Sequence, residues 1–170
     1  MKAILILLLT SMVFCNNLSA QQLDPPPALV DYSSFVTLTY EVEDYREARM
    51  VGVDKFIELA NTSGVYILDT RSKEMFDQKH IKGAVHLNFS DFTADKLAKL
   101  FPSRNVTILI YCNNNFSGDP YYFALKSLPL ALNIPTFINL YGYGYRDIYE
   151  LSSLVPVDGG GLEFEGLAVE

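Results

Sequence analysis

Thr107-Ile108-Leu109-Ile110-Tyr111 is an unbroken β-branched and apolar run that ends on a thiol, Cys112. A short run without polar alternation reads as a strand covered on both faces. Such a strand needs helices above and below it, so the chain is constrained to a layered α/β architecture. Six positions follow, Asn113-Asn114-Asn115-Phe116-Ser117-Gly118, polar or flexible except for Phe116. Asp119 and Pro120 then supply an N-cap acid and a proline at a first helical position, predicting a helix from Pro120 to about Leu128. A thiol at the carboxyl end of a strand, facing a helix amino end, sits where open α/β sheets place ligands. The helix dipole and the loop N–H groups favour a thiolate there, so the Cys112 pKa is expected below that of a free thiol.

The rest of the chain alternates strand and helix patterns around this run. Strands are predicted at Arg49–Val51, Val65–Leu68, Val85–Leu87 and Phe137–Leu140. Helices are predicted at Asp54–Ala60, at Lys73–Asp77 capped by Ser72, from Ser90 to near Pro102 with Leu97 and Leu100 inward, and at Asp147–Leu151. His80–Ala84 reads as a turn and Tyr141–Tyr145 as a loop. The alternation implies a mainly parallel sheet with helices on both faces. The site is then expected in the loops after Leu68, Leu87, Tyr111 and Leu140.

Residues 1–20 read as a signal peptide. Lys2 is the positive region, Ala3 to Phe14 the apolar region, and Asn16 to Ala20 a polar stretch ending in a small residue. That apolar run is too short to span a bilayer, and no later segment is long and apolar enough to do so. An exported protein is expected, periplasmic or extracellular. A lipoprotein reading through Cys15 ranks lower, because Phe14 before it is bulky. Residues 21–48 form an N-terminal extension. It opens with the prolines 25–27, an extended arm, continues with an edge strand over Val36–Tyr40, and ends in an acidic surface stretch. Residues 49–151 are the domain and 152–170 a C-terminal tail broken by Gly159-Gly160-Gly161.

Charge and cysteine usage narrow the function. The net charge is −7 with no basic run, which argues against nucleic acid as a partner. Only two cysteines exist, and Cys15 leaves with the signal. Cys112 is then a lone thiol in an oxidising compartment, either buried and inert or reactive and used. No histidine cluster or cysteine pair points to a metal, and nothing in the sequence calls for a cofactor.

Four separated motifs resemble a rhodanese-like domain over roughly Arg49 to Leu151. Leu68-Asp69-Thr70-Arg71 resembles that family's Asp-x-Arg strand end, with Glu74 and Phe76 at its usual acid and aromatic positions. His80-Ile81-Lys82-Gly83-Ala84 resembles its Gly-His-Ile-x-Gly-Ala signature, Lys79 replacing the first glycine. Tyr111-Cys112 resembles the strand carrying the catalytic cysteine, and Asn139-Leu140-Tyr141-Gly142 the Asn-Leu-x-Gly-Gly near the domain end. The resemblance implies a three-layer α/β fold. It also implies, for active members, sulfane-sulfur transfer through a cysteine persulfide. The loop departs from the family pattern, because Asn113 to Gly118 contains no arginine or lysine. Charge-assisted hydrogen bonds are worth about 1.5–3 kcal/mol each against about 1 for neutral ones, so weakened binding of thiosulfate is expected.

Two readings stay open. In the first, Cys112 is catalytic and Asn113, Asn114, Asn115, Phe116, Ser117 and Gly118 bind a small sulfur donor or an acceptor thiol. In the second, the domain is a non-catalytic module that binds a protein or small ligand, and the asparagines serve a tight turn. A thiol redox role would need a resolving cysteine that the chain lacks. Asp69 with Arg71 reads as a structural ion pair, His80 as a turn residue bonded to backbone and His86 as a partly buried strand-end residue. Arg146 is a candidate for the missing cation or else a helix cap. Tyr141, Tyr143 and Tyr145 are pocket walls or ordinary packing.

The amino-terminal pattern generates a direct test. Sequencing of exported protein should begin near Gln21; intact Met1 on soluble exported material would contradict the signal reading.

Overall fold

The computed structural model describes residues 27–169, so the signal segment 1–20 and the first residues of the extension lie outside the described residues. The elements in chain order are α1 (Tyr32–Glu47), β1 (Met50–Val51), α2 (Val53–Ala60), β2 (Val65–Asp69), α3 (Lys73–Gln78), β3 (His80–Ile81), β4 (Val85–His86) and α4 (Ala94–Leu100). They continue with β5 (Thr107–Tyr111), β6 (Phe116–Ser117), α5 (Asn133–Gly142), β7 (Ile148–Leu151), β8 (Val155–Pro156) and β9 (Phe164–Glu165). The central sheet has the order β1-β7-β5-β2-β4 and every pair in it is parallel. The expected α/β three-layer architecture with a parallel sheet is the one observed.

β5 is the middle strand. Its residues Ile108 to Tyr111 are all buried, as an apolar run without alternation requires. Side chains leave it alternately to two cores. Ile108 and Ile110 join Val42, Leu97, Phe137, Leu140 and Ile148 on one face. Leu109 and Tyr111 join Phe56, Phe116, Phe123 and Leu151 on the other. Ser72 caps α3 by accepting from Met75 N–H, and Thr93 caps α4 from Lys96 N–H.

Four expected elements differ. The strand over Val36–Tyr40 is instead the middle of α1, started by the Asp31 carboxylate accepting from Ser34 N–H. Leu38, Val42 and Tyr45 recur at helical spacing and face the core. The helix from Pro120 does not form beyond one turn. Phe123 N–H donates to the Asp119 carbonyl and Tyr122 N–H to its side chain, after which the chain turns away and buries Phe123. Phe137–Leu140 is helical, within α5. Ile134, Phe137, Ile138 and Tyr141 lie on its core side at spacings of three and four, and Pro135 sits in the first turn where its missing N–H costs nothing. Ile148–Leu151 is a strand, its side chains alternating between the two cores. The motif Asn139–Gly142 therefore ends a helix, and the loop at the sheet's carboxyl edge follows Leu151, not Leu140.

Asp69 and Arg71 hold that edge together. Asp69 is fully buried and Arg71 is 4% exposed. Arg71 donates to both Asp69 oxygens at 2.6–3.1 Å and spends its remaining donors on the Lys79 and Tyr122 carbonyls. The Tyr111 hydroxyl donates to Asp69 Oδ2 at 2.6 Å and accepts from Ile81 N–H. Breaking one partner of a buried pair leaves an uncompensated charge, typically costing about 3–5 kcal/mol. Asp69→Asn should lower unfolding free energy by that order in urea titration; a loss under ~1 kcal/mol would show that the pair is not the clamp.

Candidate functional site

Cys112 directly follows β5 and is 1% exposed. It starts a single 3₁₀ turn, Asn113–Asn115, in which cysteine and Asn115 cap each other. Asn115 Oδ1 accepts from Cys112 N–H at 2.8 Å, and Asn115 Nδ2 donates to the Leu151 carbonyl at 2.7 Å and the Ser153 carbonyl at 3.3 Å. This one side chain thereby ties the Cys112 turn to the end of β7.

The neighbouring asparagines are used in the same way. Asn113 Nδ2 donates to the Ala124 carbonyl. Asn114 donates to the Lys126 carbonyl and accepts from Lys126 N–H, so its amide imitates a strand partner. Phe116 is buried, its ring 4.4 Å from Phe123 and 5.3 Å from Phe164 between centroids. Ser117 accepts from Val157 N–H through its carbonyl, and Gly118 takes φ +89°, which favours glycine. Asn113, Asn114, Ser117 and Gly118 keep partial or full exposure; Asn115 and Phe116 do not.

The helix amino end that faces the thiol belongs to α5. Backbone N–H groups of Asn133, Asn114 and Leu132 are directed at the sulfur and favour its ionised form. Burial outweighs them. It pushes the Cys112 thiol above its ordinary pKa, and the nearby Glu150 charge pushes the same way. The expectation of a depressed pKa is thus reversed, because the sulfur is desolvated and its charged neighbour is an anion.

Glu150, Asn133 and Arg46 are residues that the sequence reading missed. Glu150 is 3% exposed on β7 and is held by Arg46 of α1 through two hydrogen bonds of 2.6 and 2.5 Å. Asn133 Nδ2 bridges Glu150 Oε1 at 3.3 Å and Asn115 Oδ1 at 3.0 Å. The signal was an acid inside the apolar run Ile148-Tyr149-Glu150-Leu151, which cannot be buried without a partner.

Other candidates fall elsewhere. Arg146 donates to the Tyr141 and Tyr145 carbonyls and stacks on the Tyr141 ring, capping the far end of α5. Ten residues of helix, about 15 Å, lie between it and the thiol end. The Tyr143 hydroxyl donates to the Phe92 carbonyl and Tyr145 is buried, so these rings pack. His80 bonds the Phe76 carbonyl and Glu165, and His86 the Arg71 carbonyl. Among the described residues no His, Cys, Asp or Glu cluster suits a metal ion, and no helix is long and apolar enough to cross a membrane.

A family model described as a rhodanese-like domain matches residues 52–152. No curated protein matches the chain. Among solved structures, a rhodanese with anions from E. coli is 17% identical with a TM-score of 0.40, over 60% of this chain and 98% of that one. The rhodanese-like domain of the Alr3790 protein from Anabaena sp. is 17% identical with a TM-score of 0.47, over 71% and 80%. The BH2092 protein from Bacillus halodurans is 17% identical with a TM-score of 0.46, over 68% and 74%.

The buried thiol sets a pH dependence. A folded-state pKa raised above the unfolded one means that the native protein holds its proton longer. That stability is fully present below the free-thiol value of about 8.5 and is lost as pH rises through the folded pKa. Iodoacetamide labelling of folded protein should show a midpoint above about 8.5, and Cys112→Ala should flatten the alkaline loss of stability. A midpoint below the free-thiol value would contradict this account.

Proposed function

This chain belongs to the rhodanese-like domain family, which includes sulfurtransferases and other members, and on that premise we propose that it is a binding module of that family in which Cys112 is not a turnover nucleophile. The observation that carries the reading is the 1% exposure of Cys112 beside the carboxylate of Glu150. An attacking thiolate must meet its donor, and an anionic donor must meet donors of hydrogen bonds or cations. Here the side-chain amides of Asn113, Asn114 and Asn115 are spent on backbone carbonyls. The nearest cation of the network, Arg46, is matched by Glu150. A dianion placed at the turn would meet a guanidinium already matched by Glu150 and side-chain amides already spent on carbonyls. The accessible part of the turn, Asn113, Asn114, Ser117 and Gly118, suits a neutral ligand or a protein surface.

One feature favours the other reading. The N–H groups of Asn133, Asn114 and Leu132 aimed at the sulfur would stabilise a thiolate or a persulfide. In that case the Cys112 thiolate attacks the outer sulfur of a donor, the donor leaves with the bonding pair, and an acceptor thiol later takes the sulfur. Export to a periplasmic or extracellular setting is part of the proposal and rests on the charge and apolar pattern of residues 1–20.

Mass spectrometry after exposure to thiosulfate and to polysulfide separates the two. The binding-module reading expects Cys112 unmodified in folded protein. A gain of one sulfur at Cys112, removed by a small thiol, would establish the persulfide reading in its place.

A further inference from the structure

The residues matched by the family model begin after α1, yet α1 reaches the Cys112 turn through a continuous line of hydrogen bonds, partly buried at Arg46 and buried beyond it. Arg46, in its last turn, donates to both oxygens of Glu150. Asn133 Nδ2 donates to Glu150 and to Asn115 Oδ1. That same Asn115 oxygen accepts from Cys112 N–H. We propose that α1 is a latch on the Cys112 turn, with the Arg46–Glu150 pair as its pin and Asn133 and Asn115 as the positioning residues that transmit it.

The grip of the helix is concentrated at this end. Val42 is its one fully buried side chain and Leu38 and Tyr45 are partly buried against the same core, whereas Tyr32, Phe35 and Tyr40 are exposed. A groove of about 580 Å³ separates its outer part from α5, lined by Tyr32, Phe35, Tyr40, Ile134 and Ile138 and reaching Arg46. Tyr45, one residue before the pin, donates its hydroxyl to the Arg146 carbonyl and packs edge-on against Tyr141. Three core-facing side chains hold a helix of 16 residues, and the polar bonds of Tyr45 and Arg46 add to them at its carboxyl end.

The pin also has something to lose. Glu150 is buried on a central strand, and a buried carboxylate without its cation must find water or a proton. When α1 lifts away, Glu150 is left with the single long bond from Asn133. The Asn133 amide is then drawn toward a new partner, and Asn115, whose oxygen caps the turn beginning at Cys112, loses one of the bonds that fix it. The thiol, closed while α1 is docked, becomes open to solvent. This inference does not depend on whether Cys112 carries sulfur.

The test is the rate of Cys112 alkylation by iodoacetamide in folded protein, read with hydrogen exchange of the α1 amides. Arg46→Gln should raise the alkylation rate at least tenfold and speed exchange across α1. Arg46→Lys, which keeps the charge, should stay within about threefold of wild type. Leu97→Val, which trims the same core at a site away from the pin, should leave the rate unchanged when compared at equal distance below its own unfolding midpoint. If Arg46→Gln does not fold, Val42→Ala takes its place, because it loosens α1 without stranding a charge, and the same increase is expected. A wild-type alkylation rate in the variant used, or an equal acceleration in Leu97→Val, would overturn the latch.

Discussion

The Asp69–Arg71 pair is the interaction on which the functional edge of the sheet depends. Two full charges are removed from water there, which is costly unless every remaining donor and acceptor is satisfied. They are satisfied by groups from four separate segments: the end of β2, Tyr111 of β5, the Lys79 carbonyl after α3 and the Tyr122 carbonyl after the Cys112 turn. Arg71 also stacks over Phe123, 4.5 Å from its ring centre. Because these further partners come from different segments, the pair is fully satisfied only when all are in place. It therefore specifies the relative positions of the loops that surround Cys112. Tyr111 records the same environment, since burial and then the Asp69 charge push its hydroxyl pKa well up.

A second, partly buried ion pair, Arg46–Glu150, lies on the opposite face of the sheet. The two pairs differ in origin. Asp69 and Arg71 are two residues apart, and the Arg71 N–H itself bonds Asp69, so local chain geometry brings them together. Arg46 and Glu150 are 104 residues apart and meet only because α1 docks beside β7. Between the pairs, the three asparagines after Cys112 act as short backbone substitutes. Each amide offers a donor and an acceptor in one plane, which suits the satisfaction of carbonyls in a loop that has no ladder of its own. A charged side chain in place of Asn114 or Asn115 could not satisfy a carbonyl and an N–H group together.

The chemistry of the thiol follows from competition between desolvation and local dipoles. Three N–H groups, two of them at the amino end of α5, favour a negative sulfur. Nearly complete burial and a neighbouring carboxylate oppose it, and in this chain they prevail. The position is that of a reactive cysteine, while the surroundings are those of a structural one.

The sequence by itself determined the layered α/β class, strands β2 and β5, the Ser72 cap, the Asp69–Arg71 pair and the place of Cys112 at a strand end. These depend on residue type and on neighbours within a few positions. Burial period, capping chemistry and an Asp-x-Arg spacing are all local. Only the tertiary structure decided the states of 36–40, 120–128, 137–140 and 147–151, because short segments rich in Tyr, Phe, Leu and Ile fit either period until a partner surface chooses one. It also decided the state of the thiol. Which helix end faces the sulfur, how dry the sulfur is and that Glu150 stands beside it are set by contacts between residues far apart in the chain, and no spacing in the sequence carries them.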